Sequence, residues 1–479
     1  MDTKARSCCS NGALRPLRPT GDLPGVLKLA FLLTAVVVAS PLSAQPSPTV
    51  SKEIAARTGV EMASREETAA IVSKLLRKPL TISAAVQIAL LSNRHLQATF
   101  GEVGIAQSDV IEAVTVPNPS VDFDIQFPVV ASQMNRYGWM VAQDFVRLLM
   151  IPLKKKIAEE QLEATELKVA AEALELVAEV KSAYFTCQAS QQLLGRLKLI
   201  QETNAAALDL AQKQFEAGNI TDLALLQSQD AYSAGKLAIV KAETELRGQR
   251  EKLNRLLGLW GDDTHWKIKA EVMAIPEGTV TVKGLESLAV AQRLDLRAAH
   301  RDLTSVISAL GLTKTYRWLP VLNMGFTGER DIDGALNMGP SFSLELPIFN
   351  QGQSRIAKGE AQLRIAENKL EALAVDIRSE VRELCDKLLN LGDMAKYYHD
   401  DLLPTRLRVM NRALMQYNAM QLGSYELFTI KAQELEAERD YINTLRDYWI
   451  TRAELEKAVG GTLTPHQAAK GSPGKEKSK

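Results

Sequence analysis

The chain has 479 residues with 57 Lys+Arg against 57 Asp+Glu, so there is no global basic bias and no nucleic-acid footprint. Aromatic residues are only 5% while Ala, Leu, Glu, Gln and Lys abound, which favours long helices over an all-β fold. Five His and four Cys, with no HxxxH, CxxC or HExxH spacing, indicate neither a metal site nor a cofactor.

The N-terminus carries Lys4, Arg6, Arg15 and Arg18, then the apolar run Leu27 to Ala39, then Ser40-Pro41-Leu42-Ser43-Ala44. This is the layout of a secretory signal peptide cleaved after Ala44. The apolar stretch after Lys28 is short for a spanning anchor, and no later stretch reaches the ~18 apolar residues that a spanning helix needs. A membrane crossing by the mature chain would therefore have to use strands. Cys8 and Cys9 precede the cleavage point; Cys187 and Cys385 read as small core residues.

Gln45 to Lys78 is polar with a short helix-like stretch. Leu80-Thr81 opens a helix through Ala85, Ala89, Asn93, Leu96 and Ala98, continuing to Val114 and ended by Pro117 and Pro119. Val121, Phe123, Ile125 and Phe127 then alternate with Asp122, Asp124 and Gln126, the pattern of a strand with one apolar and one wet face. Tyr137, Trp139 and Val141 suggest a second strand. The register of Phe145 to Leu153 is open, and Lys154 begins a long helix. Leu162, Val169, Leu176 and Ala183 keep a heptad there, with Ala173, Val180, Cys187 and Leu194 filling the seam. From Lys155 to Asn219 this helix would span about 97 Å and needs partners along its length. Gly218 to Asp222 is a turn, with Thr221 or Asp222 as N-cap of a returning helix that stops at Gly258. Trp260 to Lys283 reads as irregular.

The pattern then repeats. Arg293 to Ala298 echoes Asn93 to Ala98 at an offset of 200; Gln362-Leu363 echoes Gln161-Leu162 at 201; Tyr417 and Gly460 echo Phe215 and Gly258 at 202. An offset this steady over the chain marks a duplication. In the second copy Leu322, Met324 and Phe326 alternate with polar or small residues, as do Phe342, Leu344, Leu346 and Ile348 with Ser341, Ser343 and Glu345.

Each half thus reads helix, two strands, long helix, shorter helix. Four strands with apolar outer faces cannot close a barrel, since the smallest use about eight, and open edges are intolerable in lipid. Closure requires copies of the chain, and three would give about twelve strands. Tyr137, Trp139, Tyr316, Trp318 and Phe342 lie at or near strand ends, where an interfacial girdle would stand.

In this order and duplicated, several pieces resemble the TolC family of outer-membrane efflux channels. They are the opening Leu80-Thr81…Ala85…Ala89…Asn93…Leu96…Ala98, its copy Leu285…Ala289…Arg293 to Ala298, the junction Leu346-Pro347-Ile348-Phe349-Asn350-Gln351-Gly352, and the motifs Phe215-Glu216-Ala217-Gly218 and Tyr417-Asn418-Ala419-Met420. The resemblance implies a mainly α fold with a small β part: a homotrimeric α-helical tunnel with a shared 12-stranded β-barrel. It places the chain in the outer membrane of a Gram-negative cell, in contact with lipid and extending into the periplasm. The implied partners are a periplasmic adaptor and an inner-membrane pump.

The resulting division is 1–44 signal peptide, 45–79 N-terminal periplasmic segment, 80–258 first repeat, 259–283 equatorial linker, 284–460 second repeat and 461–479 disordered tail. Strands are placed at about 119–145 and 320–349, and the helical hairpins at 154–258 and 354–460. The adaptor-docking or gate tip would comprise Phe215, Gly218, Thr221, Asp222, Tyr417, Met420 and Gly423; Asp122, Asp124 and Glu345 would face the barrel lumen. Met420 stands where such motifs carry Gly, and the second tip looks most like members associated with heavy-metal, particularly copper, efflux.

The expected function is a passive exit duct of a tripartite pump for small solutes or metal ions, without enzymatic chemistry. The alternatives are a type I secretion duct, or an exported periplasmic coiled coil with a structural or partner-binding role and no channel.

Overall fold

A computed structural model describes residues 47–61, 65–127, 135–269, 271–276, 284–318, 321–331, 333–419 and 421–463. The expected signal peptide, the tail beyond Leu463 and Met420 lie outside these residues. Two helices precede the first repeat, α1 (Pro48–Thr58) and α2 (Arg65–Leu76). Ser47 accepts from the Val50 amide and caps α1, whose first turn holds Pro48 where no N–H is needed.

The helix expected to continue from Thr81 to Val114 is two helices, α3 (Ile82–Ser92) and α4 (Arg94–Val114). The break is at Asn93, which adopts extended backbone while its side chain accepts from the Leu96 amide at 3.0 Å. One residue therefore ends α3 and caps α4, a competition that Asn wins more readily than a straight-chain residue. The second repeat breaks at Arg293, likewise in extended backbone but without a side-chain cap, between α7 (Leu285–Gln292) and α8 (Leu294–Thr315).

Four antiparallel strands form one sheet in the order β1 (Ser120–Gln126), β2 (Arg136–Asp144), β3 (Leu322–Arg330), β4 (Leu336–Leu344). β2 and β3 pair across the two repeats, Val141 opposite Phe326. Strand β4 ends at Leu344, so Glu345 is not a strand residue as its alternation implied. Its amide still donates to Val321 at 3.3 Å, but ordinary pairing stops there because Pro347 cannot donate.

From the sheet run the long helices. α5 (Phe145–Glu216) has 72 residues, about 108 Å at the usual rise. It starts at Phe145, not at Lys154, because the Asp144 carboxylate accepts from the amides of Val146 and Arg147 at 3.0 and 3.2 Å and caps it there. Pro152 lies inside and removes one backbone hydrogen bond. α6 (Asp222–Leu257) returns. In the second repeat α9 (Gln353–Tyr397) passes through a π-helical turn (Tyr398–Leu402) into α10 (Leu403–Asn418), and α11 (Ser424–Val459) returns. Among the described residues no helix is long and apolar enough to cross a membrane.

The core lies at mid-length of α5. Ala173, Val180 and Cys187 are fully buried and Leu194 nearly so, as the heptad required. Phe185 stacks on Trp449 of α11 with ring centroids 5.4 Å apart. Over residues 259–269 and 271–276 the segment after α6 is irregular apart from a 3₁₀ turn at Gly261–Thr264, yet it is firmly held. Gln188 donates to the carbonyls of Lys269 and Glu271, Gln192 accepts from Val272, and Trp449 donates to Met273. Leu80 bridges Ile268, and the Tyr184 hydroxyl donates to Leu80 at 3.0 Å. The connector thus has its backbone satisfied by side chains of the long helices, in place of a ladder of its own.

Candidate functional sites at the sheet and at the hairpin tips

The pairing register sorts the sheet residues onto two faces. Val121, Phe123 and Ile125 stand opposite Val141, Trp139 and Tyr137, and the row continues through Phe326 and Met324 to Pro340 and Phe342. This face is apolar apart from Gln143 and Arg330, and Phe123 is 79% exposed in the single chain. A large exposed apolar patch of this kind marks a surface made for lipid or another chain. Trp139 packs on it against Gly328, where an added Cβ would sit 2.5 Å from the indole. Its ring also leans on Phe326. Trp139 thus lies mid-strand, packed on the sheet, while Tyr137 is near the strand end where a girdle would place it.

The opposite face carries Asp122, Asp124, Asn323, Thr327, Ser341 and Ser343 with Gly138 and Gly325 between them. Asp124 accepts from Gln126, and Arg136 pairs with Glu329 across β2 and β3. Apart from Met140 the side chains on this face are small or polar and leave room for water, as a lumen requires. The two predicted wet-face carboxylates on β1 are therefore together on one side; Glu345 lies just past the sheet.

The first tip is a tight, capped turn. α5 ends at Glu216, Gly218 takes φ +74°, and the amides of Gly218 and Asn219 donate to Phe215 and Gln214 at 2.9 and 2.8 Å. That is a Schellman close, which needs the left-handed position that Gly occupies without strain. Thr221, not Asp222, is the N-cap of α6: its hydroxyl accepts from Ala224, and Asp222 follows in the first turn, where a carboxylate suits the helix dipole. Phe215 and Asp222 are exposed. The second tip keeps the long closing bond, Gln421 to Gln416 at 2.9 Å, around Met420. There Gly423 replaces the capping Thr, so α11 starts with no side-chain cap. Tyr417 is half-buried.

The sheet and the first tip stand at opposite ends of α5. Between them lies a polar belt that sequence reasoning missed. Asn93 donates to the carbonyl of Leu256 at 2.8 Å, and Trp266 donates to Asn254 at 2.7 Å beneath the Arg250 guanidinium. Arg293 pairs with Asp295 and Glu380 at 2.7 and 2.5 Å, Lys181 with Glu456 at 2.5 Å, and Arg57 donates to the carbonyl of Gly460. The only signal in the sequence was the echo of Asn93 by Arg293, which gives no partner.

A long helical hairpin pair hung from an amphipathic four-stranded sheet is a fold shared with solved outer-membrane channels. Residues 85–259 match the family described as outer membrane efflux protein. The chain is 20% identical over 393 residues to the cobalt-zinc-cadmium resistance protein CzcC of Cupriavidus metallidurans, covering 80% of this chain and 90% of that protein. The solved CmeC outer membrane channel of Campylobacter jejuni superposes with TM-score 0.70 at 16% identity, covering 80% of this chain and 86% of that one. A solved CusC structure gives TM-score 0.66 at 17% identity, covering 79% of this chain and 92% of that one.

Proposed function

We propose that this protein is the outer-membrane exit duct of a tripartite efflux system, passing metal ions or small solutes from an inner-membrane pump to the outside. The observation that carries the reading is the sheet: apolar on one face, polar on the other, with β1 and β4 as its outer strands. Three copies joined edge to edge would make about twelve strands, a closed barrel with its apolar face in lipid. The likeness to CzcC favours metal ions as cargo. Asp122 and Asp124 would line the lumen and favour cations there.

The tips, far from the sheet, are the ends offered to a periplasmic adaptor. Phe215, Gly218, Thr221 and Asp222 on one hairpin, and Tyr417 and Gly423 on the other, would make that contact. The duct does no bond chemistry; its work is closure and positioning.

Deleting the gene while keeping the pump and adaptor should sensitise the cell to cobalt, zinc, cadmium or copper, with a detergent-resistant trimer present in the outer membrane of the parent. Unchanged tolerance to every metal and drug tested, or a soluble monomer in the periplasm, would overturn the reading.

A further inference from the structure

Each buried residue of α9 has a buried counterpart in α5, at a constant offset until one point in the second hairpin. Leu176, Val180, Tyr184, Cys187 and Leu194 on α5 are buried, and so are Ile377, Val381, Cys385, Leu388 and Ala395 on α9, each 201 residues later. Nearer the tip the next buried pair is Ala211 and Ala413, and these are 202 residues apart. One residue has therefore been added between Ala395 and Ala413. The π-helical turn Tyr398–Leu402 lies inside that interval, with the Leu403 amide donating to the carbonyl of Tyr398, five residues back. α5 runs through the equivalent stretch as unbroken α-helix.

These facts have one physical connection. An extra residue in an α-helix turns everything beyond it by about 100°, which would swing Ala413 away from α11. A single π turn takes up one residue and leaves the face below it where it was. Pro404 lies two residues beyond the turn; it has no N–H to return to the carbonyl of Asp400, so the ladder is weakened at the C-terminal end of the turn. Tyr441 of α11 touches the turn through the rings of Tyr398 and His399.

We infer that Tyr398–Leu402 is a one-residue insertion that acts as a bending joint in the second hairpin. Below it α10 changes its angle while α5 behaves as a continuous strut. The inference concerns the helix itself and stands whether or not the chain is an export duct.

The test compares two single-residue deletions in the full-length detergent-solubilised protein. Deleting Asp400 should convert the joint to plain α-helix with Ala413 still inward, shifting the unfolding temperature by less than about 3 °C. Deleting the exposed Glu202 from α5, between Leu194 and Ala211, should turn the inward face away and lower it by about 10 °C or more. Equal damage from both deletions overturns the insertion. Spin-label distances from a site on α10 to one on α9 should be broad in the parent and narrow once Asp400 is deleted, while a matched pair along α5 stays narrow in both. A parent distribution on the second hairpin as narrow as that along α5 overturns the joint.

Discussion

The side-chain amide of Asn93 donates to the main-chain carbonyl of Leu256 across 2.8 Å, while its oxygen caps α4 at Leu96. One buried side chain thus fastens the start of one helix to the end of another far along the chain. Asn93→Ala should lose both, about 2 kcal/mol together. Asn93→Asp keeps the acceptor and should lose about half of that. Unfolding midpoints of the two variants decide it; an unchanged midpoint for Asn93→Asp would show that the Leu256 bond contributes nothing, and equal losses would show that the cap contributes nothing.

Gly258 and Gly218 both hold left-handed backbone, at φ +69° and +74°, but only Gly258 is hemmed in. A Cβ there would lie 2.4 Å from the carbonyl oxygen of Ser92, whereas at Gly218 nothing lies within 4 Å. Gly218→Ala should cost only the strain, about 1–2 kcal/mol. Gly258→Ala should cost about twice as much, since backbone must move as well. Thermal midpoints of the pair test this, and similar shifts would contradict it.

Glu53 sits where burial disfavours its charge, but hydrogen bonds from Arg57 and Arg297 outweigh that and hold its carboxyl below the ordinary glutamate value. A lowered folded pKa gives stability that is present above the unfolded pKa, about 4.3, and lost as pH falls through the folded one. Glu53→Gln should therefore be less stable than the parent at neutral pH, and the gap should close as the solution is acidified below about pH 4. A gap that stays constant through acid would refute the assignment.

Cys187 and Cys385 are both buried, and burial pushes the Cys187 thiol up to about 11 and raises that of Cys385. Thiolate is the reactive form, so neither should be alkylated in the folded protein at pH 8. Mass spectrometry after brief iodoacetamide treatment should find both unmodified until denaturant is added. Rapid native labelling of Cys187 would mean that the core at mid-length of α5 opens.

Much of this was legible because periodicity is a local property. The alternation of Val121 to Gln126 put its apolar and wet residues on the two faces that pairing later gave them, and the heptad through Ala173, Val180 and Cys187 named the buried seam. Gly218 and Thr221 announced the first tip by the turn and cap chemistry they carry. The duplication was visible as an offset alone.

What only the tertiary structure decided depends on partners distant in the chain. Asn93 could have continued a helix, and it ends one because Leu256 supplies an acceptor where its amide points. Phe145 to Leu153 had no readable register because Pro152 argues against a helix, and the cap by Asp144 and the packing of α5 override it. The added residue in the second hairpin was present in the sequence as a step from 201 to 202, but its place and form were not. Inserting a residue changes the phase of every side chain beyond it, and whether a helix absorbs that in a π turn is settled by what the downstream face must pack against.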